Sequence, residues 1–138
     1  MDTSVLSYSL TGVVAHLVYF GIASVAVAVF VAIYVTVTAH HEFRLIREGN
    51  TAAAISLGGA ILGYTVPLAK AVSQSVSIPD MLLWGGVALV AQLGAYGITR
   101  LVLPRLSSHV DEGKTASGIF LAAISVAIGL LNAAAMTE

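Results

Sequence analysis

The sequence predicts an all-α transmembrane protein with four membrane-spanning helices, formed by two parallel tandem repeats of a two-helix hairpin. Hydrophobic residues make up 58% of the 138 residues and charged residues only 9%, and the mean hydropathy is +0.95. A soluble domain carries about 25% charged residues. In addition, the segment Glu-Gly-Asn-Thr-Ala at 48–52 recurs as Glu-Gly-Lys-Thr-Ala at 112–116, each time between two long apolar runs.

The four apolar runs are each long enough to span a bilayer, which takes about 20 residues. The predicted spans cover residues 14–39, 52–72, 81–103 and 115–136. Continuous apolar character favours helices over barrel strands, whose hydrophobicity alternates with a period of two. The predicted organisation is an N-terminal tail outside the membrane at 1–13, a first repeat at 14–76 and a second repeat at 77–138.

The ends of the spans carry their own signals. Thr51 and Thr115 each follow a glycine closely and are predicted to cap the second and fourth helices. Ser77 and Asp80 have the spacing of a capping box at the start of the third helix. Pro104 is predicted to end that helix.

The basic residues predict the orientation of the chain. Five of the six Lys and Arg residues lie in or beside the first and third loops: Arg44, Arg47, Arg100, Arg105 and Lys114. The positive-inside rule therefore places these loops in the cytoplasm and both termini outside. Two-helix repeats keep the same orientation, whereas the inverted repeats of many transporters need an odd number of spans per unit. The pattern favours a channel over a transporter.

Small residues predict close helix packing. The second helix carries Gly59 and Gly63, and the same offset places Ala123 and Ala127 in the fourth helix. That helix also carries Gly118 and Gly129. Small residues let helices approach closely in lipid, so we expect packing within the chain or between subunits, and a homo-oligomer. The alternative is that the stripe lines a pore.

Polar residues within the spans are candidates for function, because an unpaired polar group is costly in lipid. Tyr64, Gln92 and Ser125 are predicted near the midplane. The candidates in the outer half are Lys70, Gln74, Asp80 and Asn132. The other half is expected to hold little besides small residues and Tyr96. This asymmetry predicts a polar vestibule that faces outward and a tightly packed cytoplasmic half.

Each candidate has a structural alternative. Lys70 can extend its side chain to the surface or pair with Asp80. Gln92 and Asn132 can form hydrogen bonds between helices. Tyr64 lies beside a proline that frees a backbone carbonyl, which either binds an ion or is satisfied by a neighbouring helix.

The first loop mixes charged and apolar residues. Phe43 is predicted on one face, and Arg44 and Arg47 on another. The segment is either the interfacial end of the first helix or a docking site for a cytoplasmic partner. Adjacent histidines at 40 and 41 point about 100° apart on a helix and cannot share a metal. No catalytic signature is present, so we expect no enzyme, no metal and no cofactor. The net charge of −1 favours no nucleic-acid partner.

Several motifs resemble the bacterial inner-membrane family called domain of unknown function 350. They are Gly-Asn-Thr-Ala-Ala at 49–53, Leu-Gly-Tyr at 62–64, Pro-Leu at 67–68, Ser-Val-Ser-Ile-Pro-Asp at 75–80, Trp-Gly-Gly at 84–86, Gln92 and Asn-Ala-Ala at 132–134. The resemblance implies a duplicated two-helix unit in the bacterial inner (plasma) membrane, with no established activity. It also implies gene neighbours of the phage-shock and glutathionylspermidine-synthetase types. Lys70 departs from the small polar residue of the family pattern.

Two functions are consistent with these patterns. The first is an oligomeric, non-enzymatic, channel-like permeation protein surrounded by the lipid bilayer. The second is a membrane anchor or scaffold in an envelope-stress or polyamine-related system, acting through the first loop.

Overall fold

A computed structural model describes residues 2–136, and all the regular structure within that range is helical. The helices are α1 (Thr3–Val37), α2 (Glu42–Arg47), α3 (Thr51–Gln74), α4 (Ile78–Val102), α5 (Leu106–Asp111) and α6 (Thr115–Ala135). Four of them, α1, α3, α4 and α6, are long and apolar enough to cross a membrane. The predicted all-helical fold with four candidate spans is therefore confirmed.

Helix α1 is much longer than its predicted span. It begins at Thr3, and the Asp2 side chain accepts a hydrogen bond from the Ser4 amide at 3.3 Å. Most of the predicted N-terminal tail is therefore helical. The 35 residues of α1 extend for about 52 Å at a rise of about 1.5 Å per residue. Residues 3–18 are exposed, so this half of α1 has no partner within the described chain.

Two short helices, α2 and α5, lie between the long ones, and hydropathy did not predict them. They occupy equivalent places, since α5 begins and ends 64 residues after α2. Each is followed by a glycine in the left-handed region, Gly49 with φ 86° and Gly113 with φ 75°. Glycine adopts this conformation without the penalty of a Cβ, and it ends a helix. The recurring Glu-Gly-x-Thr-Ala is therefore a turn between two helices. The end of the bundle that carries α2 and α5 is called the loop end below, and the opposite end the far end.

The caps differ in part from the prediction. Asn50, not Thr51, caps α3, and its side chain accepts from the Ala53 amide at 3.0 Å. Lys114 precedes α6 without a side-chain cap, so Thr115 is simply the first residue of that helix. The predicted Ser77 cap of α4 is confirmed.

Helices α3 and α6 form the centre of the bundle. A Cβ added to any of four glycines would lie 2.2 to 2.5 Å from an atom of the opposite helix: Gly59, Gly63, Gly118 and Gly129. The contacts run from Ala52 and Gly118 near the loop end to Gly63 and Gly129 farther along, so the two helices point in the same direction. Hydrogen in place of a side chain is what lets the two backbones approach this closely.

Ala123 and Ala127 do not take part in this interface. Both are exposed in the single chain, so their packing between subunits stays a prediction. The residues of α6 that face α3 include Ala122, Ser125 and Gly129. Successive residues of a helix point about 100° apart, so Ala123 is turned away when Ala122 faces inward.

Aromatic side chains attach α1 to this centre. Phe30 stacks on Tyr64 of α3 with ring centroids 4.3 Å apart and an angle of 5° between the rings. One turn nearer the loop end, Tyr34 meets Tyr96 of α4 edge-on at 6.0 Å. Phe30 and Tyr34 are the only buried residues of α1. Grooves of about 590 and 410 Å³ lie along α1 toward the far end.

Candidate functional site

Within residues 2–136, the predicted polar residues at the far end do not form a buried site. Lys70 Nζ donates to the carbonyl oxygen of Ala133 at 2.7 Å, in the last turn of α6. A cation at this place satisfies an unpaired carbonyl and interacts favourably with the helix dipole. Residues 2–136 contain no ion pair between Lys70 and Asp80, so that alternative is wrong. Asp80 lies in the first turn of α4, and Gln74 is exposed.

Two further candidates have partly polar surroundings. Asn132 is half-buried beside the Lys70 contact, and its Nδ2 has no hydrogen-bond partner within the described residues. Tyr64 is buried under Phe30, and its hydroxyl lies next to Gly85, where an added Cβ would be 3.4 Å away. Neither contact forms a vestibule by itself, so the outer vestibule stays a prediction.

Gln92 is the predicted candidate with the most informative position. It is fully buried in α4, and its Nε2 donates to the carbonyl oxygen of Ser125 in α6 at 3.0 Å. A Cβ on Gly63 would lie 2.7 Å from the same Nε2. The glycine therefore leaves the space that the amide occupies. Gln92 Oε1 and Ser125 Oγ are both buried and have no partner in residues 2–136.

A second group of buried polar side chains lies at the junction of α1 and α2. Glu42 is 1% exposed and His40 is 2% exposed. Thr38 Oγ1 donates a hydrogen bond to Glu42 Oε1. His40 Nε2 lies 3.2 Å from the same oxygen, at ion-pair distance but without the geometry of a hydrogen bond. Glu42 Oε2 has no partner in the part of the chain that the structure describes.

Two tyrosines lie between this group and the membrane interior. The Tyr96 hydroxyl accepts a hydrogen bond from the Ala39 amide at 3.4 Å and lies 3.5 Å from Ser107 Oγ of α5. The Tyr34 hydroxyl lies close to Ser125 but not within hydrogen-bond geometry, and it is buried and unpartnered among residues 2–136.

Together these side chains form a line of polar groups that we call the buried polar column. It consists of Thr38, His40, Glu42, Tyr34, Tyr96, Gln92 and Ser125. It runs from the loop end to the middle of the bundle. A buried polar atom without a partner costs several kcal/mol in lipid, on the order of 2–7 kcal/mol by transfer data. Such a column in an apolar bundle is therefore a strong candidate for function.

The sequence did not predict the buried polar groups at the loop end. It predicted that the loop-end half would hold little besides small residues and Tyr96, and this is wrong. Gln92 was recognised, but Glu42 and His40 were placed in the first loop, as the interfacial end of the first helix or a docking site, because charged residues next to a span are normally solvated. The available signal was the clustering of Thr38, His40 and Glu42 at the end of an apolar helix.

The opposite face of α2 is a different kind of surface. Phe43, Arg44 and Arg47 are exposed there and border a cleft of about 280 Å³. Phe43 is 50% exposed, and Arg44 Nε lies 4.0 Å from the exposed carboxylate of Glu48. The structure brings the three residues of the predicted partner site onto one accessible surface, and a partner for it stays a prediction.

Known proteins similar to this chain are membrane proteins. A family model described as Domain of Unknown Function (DUF350) matches residues 7–136. The UPF0719 inner membrane protein YjfL of Escherichia coli (strain K12) is 42% identical over 128 residues, which cover 93% of this chain and 97% of that protein. The UPF0719 transmembrane protein YshE of Bacillus subtilis (strain 168) is 30% identical over 118 residues, covering 84% and 88%. No solved structure matches.

Proposed function

Because this chain belongs to the DUF350 family of membrane proteins, we propose that it is a subunit of an oligomeric, non-enzymatic protein that gives small polar species a path into and across the bilayer. The buried polar column is the observation that carries this proposal. A protein that only anchors a partner gains nothing from unpartnered hydroxyl and amide oxygens deep among its helices, since each one destabilises it.

The packing supports an assembly rather than a pore inside one chain. The column ends at Gln92 and Ser125, beyond which the backbones of Gly63 and Gly129 are in contact. A complete crossing therefore needs a second subunit or a movement of the helices. The exposed first half of α1 and the grooves beside it offer apolar surface for a second copy of the chain.

The topology belongs to the same proposal. The 64-residue offset between α2 and α5 and between the starts of α3 and α6 supports two tandem hairpin repeats in parallel. Five of the six basic side chains lie at or near the loop end, which supports a cytoplasmic loop end with both termini on the outer side of the membrane.

Flux measurements in proteoliposomes test the proposal. The wild-type protein should conduct protons or small monovalent ions, and Gln92→Leu and Ser125→Ala should reduce this flux to that of empty vesicles. Thr36→Val is the matched control, because Thr36 is exposed and its hydroxyl bonds only to the Ala32 carbonyl oxygen of its own helix. Flux that is absent from the folded wild type, or unchanged in both variants, contradicts permeation. A monomer in native mass spectrometry contradicts the oligomer.

The exposed face of α2 supports a second candidate function, a membrane scaffold that binds a cytoplasmic protein of a stress response. The observation that supports this function is Phe43, whose aromatic side chain is half exposed beside two arginines. Affinity purification with Phe43→Ala combined with Arg44→Ala should lose the partner, whereas Phe20→Ala, which removes an exposed ring from α1, should retain it. The same partners in all three samples would rule out this surface.

A further inference from the structure

Deepening the proposed permeation function, we propose that Glu42 and His40 form a buried proton-binding site, and that Tyr34 links this site to Gln92 and Ser125 in a hydrated half-path that opens at the loop end. The ligand is a proton supplied by water.

The carboxyl group of Glu42 and the imidazole of His40 can together bind and release a proton. Glu42 Oε1 already accepts from Thr38 and faces His40 Nε2 at 3.2 Å, whereas Oε2 is buried and free. With one shared proton the pair is neutral, either as carboxylate and imidazolium or as carboxylic acid and imidazole. A second proton from solvent makes it cationic, and the release of that proton to solvent restores the neutral pair. Carboxyl and imidazole groups of this kind form proton relays in membrane proteins.

Among residues 2–136, no Lys or Arg side chain lies within ion-pair distance of this pair. From α1 the titratable group beside it is Tyr34, and from α4 it is Tyr96. From α5 the polar neighbour is Ser107, which does not titrate. His41, Arg44 and Arg47 are exposed and line the same cleft as Glu42. The titratable groups of α3 lie farther toward the far end. Within residues 2–136, His40 is the only ion-pair partner of Glu42, so the charge of the site depends on the protons that it holds.

The column continues from this site to the middle of the bundle. The Tyr34 hydroxyl lies close to Ser125, to whose carbonyl Gln92 Nε2 donates. Tyr34 and Ser125 hydroxyls can each donate and accept, and Gln92 Oε1 can accept. Buried waters typically bind such unpartnered atoms and make two to four hydrogen bonds each. The stack of Phe30 on Tyr64 and the contact of Gly63 with Gly129 end the path there.

Infrared difference spectroscopy on the full-length protein in lipid tests the site directly. A change of bulk pH should alter the C=O stretching band of a buried protonated carboxyl in the wild type. Glu42→Gln should abolish this change, and Glu42→Leu, which copies the apolar residue at the equivalent place in α5, should do the same. Glu48→Gln is the control, because Glu48 is exposed at the other end of α2. His40→Gln should move the response to a different pH. A response that persists in both Glu42 variants overturns the proposal.

Flux then tests the path and separates the two proposals. A pH-sensitive dye inside liposomes should report proton entry that is lost in Glu42→Gln and retained in His41→Gln, since His41 is exposed. Equal loss of potassium flux in Glu42→Gln assigns the site to a metal cation and overturns proton binding. A carboxyl response that depends on Glu42, in a protein without any flux, supports the proton site and refutes the permeation function.

Discussion

The two short helices at the loop end occupy equivalent places but bury opposite chemistry. α2 begins with Glu42 and α5 with Leu106, 64 residues later, and these side chains are 1% and 0% exposed. At the same offset, His40 corresponds to Pro104 and Thr38 to Val102. The fold thus accepts apolar residues at this place in the second hairpin. The buried carboxylate and imidazole of the first hairpin are therefore not a requirement of the turn.

Both hairpins depend on the glycine contact between α3 and α6, so breaking it should have the largest effect. In Gly59→Val, the new Cβ would lie 2.4 Å from the Ala122 Cβ, and the helices must separate. We expect a loss of about 3 kcal/mol in the free energy of unfolding, measured in mixed micelles. Gly58→Val is the matched control, since a Cβ at Gly58 meets nothing within 4 Å. Equal losses in the two variants would contradict this packing.

Replacing His40 and Glu42 with apolar residues should give the first hairpin an apolar buried contact like the one in the second. His40→Leu leaves the buried Glu42 without its ion-pair partner, with only the Thr38 hydrogen bond, and should cost about 3 kcal/mol. The double variant His40→Leu/Glu42→Leu should be more stable than His40→Leu alone, because both desolvated groups are gone. A double-mutant cycle of unfolding free energies measures the difference. Additive losses would show that the two side chains do not interact.

The helices that follow α2 and α5 also differ, because only α3 has a side-chain cap at its start. Asn50 Oδ1 accepts from the Ala53 amide, and its Nδ2 donates to the Val110 carbonyl oxygen at 2.7 Å. Asn50→Ala should therefore cost about 2 kcal/mol in unfolding free energy. Lys114→Ala, at the equivalent place, should cost much less because its side chain caps nothing. The reverse order would mean that the cap is unimportant.

The smallest effect is expected on the exposed face of α2. Arg44 and Glu48 are 4.0 Å apart, and both side chains are 63% exposed. Exposed ion pairs contribute little, since solvent screens them. Arg44→Ala should leave the melting temperature unchanged within error. A clear decrease would show that this face packs against something in the folded protein.

Much of the fold could be predicted from the sequence because lipid imposes simple rules. A long apolar run has to be a helix, since its backbone finds no partner in lipid outside its own hydrogen bonds. The four spans follow from this. The glycines at 59, 63, 118 and 129 were also recognised as packing residues, because small residues mark close helix contacts in membranes.

The candidate site could be predicted only in part. Gln92 was recognised because an amide inside an apolar run is conspicuous. Glu42 and His40 were not, since local hydropathy treats a charged residue beside a span as solvated. Their burial depends on α2 folding back under Tyr34 and Tyr96, and the two tyrosines are 62 residues apart in sequence. Contacts between residues so far apart in sequence cannot be recognised from the hydropathy of either segment.

Helix α1 also has a mechanical consequence. Its buried attachment is Phe30 and Tyr34, close to one end of a rigid rod, and Thr3 lies about 40 Å beyond Phe30 at about 1.5 Å per residue. From Tyr19 to Val35 the rod also packs against the bundle through half-buried apolar side chains. Its free arm is therefore residues 3–18, about 24 Å long at about 1.5 Å per residue. A tilt of this arm by about 10° would carry Thr3 through about 4 Å. The free arm is thus a lever that enlarges small movements of the packed half of α1 at the far end.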